Sequence, residues 1–311
     1  MLNQTTLIKK GQCGSNIINM MQLKNLWTVA LILLTNASIF AQTRATISGV
    51  PDNTSADITS VMVIDSALYK VSYRLSYIPN EDAPQNIREA QTTLLIGKRH
   101  SIFTDYHTLL MDSLKIEFAR NNTGLNEQMA KLLPLNKGVG FKPIVVSNYP
   151  IKNSYTFQQS LGSTLYCYTD NGVQIEWLPV SGGEKVIQGY TCNKAVCHYR
   201  GRDYQAWYAP SVALSEGPYV FKGLPGLIFE VRDSNNEYVF ELIGLEGIKE
   251  NYPMLLSNRN LATISRSEFR KMEENLAKNP AEGLRLLSGS VSNPESLPKI
   301  NPRPYNPIEK E

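Results

Sequence analysis

Apolar and polar side chains alternate without a fault over residues 69–77, so that Tyr69, Val71, Tyr73, Leu75 and Tyr77 share one face. That period of two predicts a half-buried antiparallel strand. A loop over residues 79–86 follows, then residues 92–97 and 101–103, a second strand broken or turned around Gly97. The period then changes. Leu109, Leu110, Leu114 and Phe118 recur at helical spacing, and so do Leu125, Met129, Leu132 and Leu133, a stripe predicted to stop before Pro134. These helices read as an insertion, either mobile or covering one face of the sheet. Beyond Pro143 the chain returns to extended structure in three expected hairpins. Residues 165–169 and 173–178 join through Asp170-Asn171-Gly172, residues 195–199 and 204–208 through Gly201-Arg202-Asp203, and residues 227–231 and 238–243 through residues 233–236. Ser265 and Glu268 form a capping box ahead of the inward stripe Phe269, Met272 and Leu276, and Asn279-Pro280 ends that helix. The predicted fold class is mainly β (α+β): a large curved antiparallel sheet of meandering hairpins, with two or three helices packed on one face.

One turn departs from the usual polarity. Pro225 presets φ for the second position of a type II turn and Gly226 supplies positive φ for the third, yet Leu224, Leu227, Ile228 and Phe229 surround them. Two readings follow for Gly223, Leu224, Pro225, Gly226, Leu227, Ile228 and Phe229, together with Trp207 and Tyr208. They form an apolar surface for a ligand or partner, or they are core around a buried reversal between two strands. The flanking strand pattern favours core.

Composition adds an address. The chain has 311 residues, 42% of them hydrophobic, and a net charge of +3. That is enough chain for a sizeable core, and the weak, unpatterned charge argues against nucleic acid as a partner. Sixteen tyrosines favour strands. Lys24, the apolar run 26–34 and Ala41 read as a secretory signal peptide cut near Ala41, with residues 1–19 as an upstream extension. The expected organisation is extension and signal (1–41), loose leader (42–60), one β-rich domain (61–287) and an extended Pro/Asn-rich tail (288–311). The mature protein is then exported, periplasmic or extracellular, with no transmembrane span.

Chemistry-bearing motifs are scarce. Cys167, Cys192 and Cys197 remain after the cut. Cys192 and Cys197 fall on opposite faces of any continuous strand, so a disulfide more easily joins Cys167 to one of them across neighbouring strands; buried thiols are the level alternative. A metal site from Cys192, Cys197 and His198 is a weaker reading, opposed by the same alternation of faces. No nucleophile elbow, metalloprotease, phosphate-loop or dinucleotide motif occurs, so neither an enzyme nor a cofactor is expected.

Gly223-Leu224-Pro225-Gly226-Leu227-Ile228, preceded by Gly217-Pro218 and Phe221, resembles the signature of the GLPGLI (Porph_ging) family of secreted Bacteroidetes proteins. Leu95-Ile96-Gly97, Gly189-Tyr190 with Cys192, Gly201-Arg202 with Tyr204 and Trp207-Tyr208, and Asn306-Pro307-Ile308-Glu309 resemble it in the same order. Val212-Ala213-Leu214 departs from its usual Ile-Pro step. The resemblance implies an exported, uncharacterised protein and supplies no catalytic residues. A sheet similar to envelope lipoprotein carriers would suit the pattern, an analogy of fold alone. The function expected is a non-enzymatic envelope protein that binds a hydrophobic ligand or a partner protein; the alternative is metal handling through Cys192, Cys197 and His198.

Overall fold

The computed structural model describes residues 61–162, 164–258, 261–281 and 300–310. The expected signal peptide and leader, the end of the expected domain and the first part of the expected tail lie outside them. Among the described residues no helix is long and apolar enough to cross a membrane.

Among the described residues thirteen strands form one sheet. In chain order they are β1 (Val61–Tyr77), β2 (Arg88–Gly97), β3 (Ser101–Asp105), β4 (Ile144–Ser147), β5 (Ser154–Leu161), β6 (Thr164–Asn171), β7 (Leu178–Ile187), β8 (Tyr190–Tyr199), β9 (Arg202–Ala209), β10 (Leu227–Asp233), β11 (Tyr238–Gly247), β12 (Pro253–Ser257) and β13 (Leu261–Thr263). Their spatial order is β13-β6-β5-β4-β3-β2-β1-β11-β10-β9-β8-β7, with β12 on the first half of β1. Among these strands only β13 and β6 pair in parallel. The period-two reading of β1 holds: Val71, Tyr73 and Leu75 are fully buried. The expected hairpins β8/β9 and β10/β11 form.

The first expected hairpin does not form. Asp170-Asn171-Gly172 ends β6, but residues 173–177 join no ladder and carry the chain to β7, at the opposite end of the sheet. The alternation there is real and serves packing instead: Val173, Ile175 and Trp177 lean on the core, and the Trp177 indole donates to the Lys222 carbonyl at 2.9 Å. A side-chain bond and apolar burial stand in for strand pairing.

The sheet has a core on each face. The larger extends from Tyr168 on β6 to Tyr199 on β8, so the sheet wraps around it. Phe221 sits near its centre, in ring contact with Tyr199, Tyr204, Tyr219 and Phe240. The smaller core gathers Ile64, Leu95, Ile102, Val146, Met254 and Leu256 on the other face.

Three helices complete the described fold: α1 (Tyr106–Asn121), α2 (Leu125–Gly138) and α3 (Arg266–Lys278). They divide between the faces rather than sharing one. Leu109 of α1 packs on the smaller core, whereas Phe269 of α3 enters the larger. As an insertion between the paired strands β3 and β4, α1 and α2 cover the sheet, and buried Asp105 closes that insertion. Its carboxylate caps α1 at the His107 N–H (2.8 Å) and accepts from the Gly140 and Phe141 N–H groups beyond α2 (3.0 and 3.1 Å). Contrary to the expected stop, α2 runs through Pro134. The carbonyl that a proline cannot serve there belongs to Ala130, which is exposed and open to water. The capping box at Ser265 and Glu268 forms as read.

Candidate functional site

The Gly223–Phe229 stretch belongs to the core. Residues 210–226 join β9 to β10 as a long loop folded back on the larger core, and Leu227 and Ile228 are 0% exposed. Leu224, Phe229 and Tyr208 are buried too. The reading of these residues as an apolar surface is therefore corrected: their side chains fill the wrapped face. The turn is also of another type. Gly226 has φ +153°, and its N–H reaches the Leu224 carbonyl at 2.8 Å, while the Leu227 N–H goes to Val212 at 3.1 Å. Gly223 has φ +95° and its Cβ direction is empty, whereas a Cβ on Gly226 would lie 2.3 Å from the Ala209 carbonyl oxygen. Tyrosine hydroxyls serve buried carbonyls here: Tyr73 donates to Ile228 (2.7 Å) and Tyr155 to Val220 (2.9 Å).

Trp207 is only partly buried and packs against that core. Lys194 on β8 and Glu230 on β10 are its cross-strand neighbours. The Lys185 ammonium lies 3.7 Å from the ring centroid, with Lys194 at 5.2 Å and Arg232 at 5.8 Å. Lys185 and Arg232 both pair with buried Glu230. The arrangement is a cation–π lattice tying four strands together.

Of the cysteine readings, buried thiols is the one the structure shows, and the disulfide and metal readings are corrected. Cys167, Cys192 and Cys197 are buried and free. Cys167 is on β6 and the other two on β8, near opposite ends of the sheet, so the neighbouring-strand geometry a bridge requires is absent. Among the described residues no three His, Cys, Asp or Glu side chains are placed to hold a metal. His198 is exposed and engages Asp203 at 2.8 Å, while Cys197 points to the other face, which removes the Cys192, Cys197 and His198 set. Burial raises all three thiols, Cys197 to about 12. Alkylation of native protein at neutral pH should leave them unmodified, and a reductant should leave the melting temperature unchanged. Mass spectrometry before and after unfolding checks the first, a thermal melt the second.

The C-terminal Asn306-Pro307-Ile308-Glu309 segment is a strap across the wrapped face. Tyr238 donates to the Asn306 carbonyl (2.6 Å), Arg202 to Pro307 (2.7 Å) and Tyr204 to Ile308 (2.9 Å). Glu309, 5% exposed, meets Tyr219 (2.7 Å), Arg266 (2.7 Å) and Arg270 (3.2 Å). Burial pushes its carboxyl up, but Arg270, the Tyr219 hydroxyl and Arg266 outweigh that and hold it below the usual range.

Ligand-sized space lies on the other face, under α1. A groove of about 500 Å³ has Leu95, Ile102 and Ile144 as floor, one side of α1 as wall and residues 251–255 as the opposite wall. Leu109, Ser113, Ile116 and Arg120 recur along α1 at the spacing of one helix face, and all four line it. A volume of that order suits a small ligand, and an apolar floor with a polar rim is the usual build of such sites. Asp112, Glu117 and Arg120 supply the charged rim, with Asp112 also paired to Lys115 at 2.8 Å. The sequence stripe on α1 named Leu109 but not Ile116.

Among known proteins, the family model described as "Protein of unknown function (Porph_ging)" matches residues 199–230, a short stretch spanning β9, the loop and the start of β10. That match agrees with the resemblance drawn from the sequence. No curated protein matches the chain. The solved structure titled "Structure of PNGF-II in P21 space group" is similar at TM-score 0.44 and 16% identity, covering 67% of this chain and 33% of that one. The corresponding structure in the C2 space group gives 0.43 and 16%, covering 66% and 32%. The chain thus spans about a third of the length of the solved chains it matches.

Proposed function

We propose that this chain is an exported, non-enzymatic envelope protein that holds an apolar ligand in the groove between α1 and the sheet. Export rests on Lys24, the apolar run 26–34 and Ala41. The groove carries the binding reading, because it joins aliphatic floor to polar rim at ligand size. The non-enzymatic part rests on the sequence, which carries none of the common catalytic motifs. Moving the site from the Gly223–Phe229 turn to the groove keeps the ligand class expected at first and changes its place.

Diphenylhexatriene, a rod-shaped hydrocarbon that fluoresces out of water, tests this. The mature protein should light it at micromolar concentration. Ile116→Trp, which fills the groove from its α1 wall, should weaken binding by about tenfold or more while the melting temperature holds. Equal binding by both proteins would place the site elsewhere, and no binding by either would end the reading.

A further inference from the structure

Next to the groove floor lies a polar rung whose hydroxyls the fold does not use. On β2 and β3, Leu95 pairs with Ile102 and, one rung along the same face, Thr93 pairs with Thr104. The first rung is apolar and packs in the smaller core. The second is buried as deeply, Thr93 at 0% and Thr104 at 4% exposure, yet neither hydroxyl has a hydrogen-bond partner. Thr92, one residue away on the opposite face, differs: its hydroxyl reaches the Tyr73 carbonyl at 3.4 Å. Thr104 itself lines the groove.

A buried hydroxyl without a partner costs free energy, and valine has the same shape and strand preference without that cost. Of these two side-by-side hydroxyl residues, Thr104 lines the groove and Thr93 stands behind it. Resting on the groove reading above, we infer that the ligand is a neutral acyl ester whose chain lies on Leu95 and Ile102 and whose carbonyl oxygen accepts from the Thr104 hydroxyl, the member of the rung that lines the groove. A carbonyl oxygen has two lone pairs and brings no proton that itself needs an acceptor. The rim offers a free carboxylate no surplus positive charge, since Lys115 is paired with Asp112 and Glu117 stands against Arg120.

The test is displacement of diphenylhexatriene by methyl palmitate against displacement by heptadecane, a hydrocarbon of similar length. Wild-type protein should release the probe at about tenfold lower ester than hydrocarbon concentration. Thr104→Val should erase that preference, read as the ratio of ester to hydrocarbon concentrations needed on the same protein, and hold or raise the melting temperature because an unpartnered hydroxyl has gone. Probe binding with no preference for the ester would overturn the inference and leave the groove reading standing. A preference that survives Thr104→Val, or a marked fall in melting temperature, would overturn it too, by showing the hydroxyl unused by the ligand or satisfied within the fold. No probe binding would remove both.

Discussion

Gly226→Ala should lose about 4 kcal/mol or more of stability, the largest loss from any methyl-sized change in the loop. Two faults add. The backbone sits at φ +153°, where L-residues are strained, and the new Cβ would press on Ala209 and Pro210 at 2.3 to 2.9 Å, all of it backbone. Backbone in a paired strand cannot turn aside as a side-chain tip can, so the junction between β9 and β10 must open. Gly223→Ala is the control in the same loop: φ is +95°, nothing lies within 4 Å, and strain alone costs about 1 kcal/mol. Urea midpoints for the two variants decide the matter. Equal midpoints would show that the loop yields around a methyl group and that the close approach has no energetic weight.

Glu309→Gln should cost about 3 to 5 kcal/mol at neutral pH, since it leaves Arg266 and Arg270 facing a buried neutral group. The pH dependence has a definite sign. Glu309 and Glu237 are both held below the ordinary carboxylate range: burial opposes this in each, and the Arg270 charge for Glu309 and the Arg202 bond for Glu237 lead the forces that prevail. Groups shifted down contribute stability in full above the unfolded value, near 4.5, and lose it as pH falls through the folded values. Glu216 has the opposite sign. Burial raises it against the pull of Lys222 and the Ser101 bond, so its contribution is complete below the unfolded value and fades as pH rises through the folded one. Melting temperatures measured from pH 7 to 3 should therefore fall below about pH 4.5, with a flatter fall in Glu309→Gln. An unchanged slope would mean that the strap is not anchored through this carboxylate.

Local pairs were legible in the sequence and distant ones were not. The β8/β9 and β10/β11 hairpins read correctly because each turn and both strands lie within one short window. Val173, Ile175 and Trp177 alternate just as a strand does, since an extended segment on a core and a strand in a sheet demand the same pattern. The Gly223–Phe229 stretch showed that Gly226 was indispensable and misled on the reason, because the neighbour that forbids a side chain, Ala209, is brought close only by the loop's return. Cys167 and Cys192 gave no sign of their separation, which depends on strand order. The groove could not be read at all: its walls come from β2, β3, α1 and residues 251–255, and Thr93 and Thr104 look like ordinary strand threonines until their shared rung is seen.

The strand order also bears on how the chain reaches this state. The middle of the sheet joins β1 to β11, with Tyr77 opposite Tyr238, while the hairpins on either side are local. Pairing across so long an intervening chain carries a closure entropy that short hairpins escape, and high contact order slows folding. The two wings can assemble separately during synthesis, but the seam between them waits for β11. The first strand of the domain is thus among the last to acquire both neighbours.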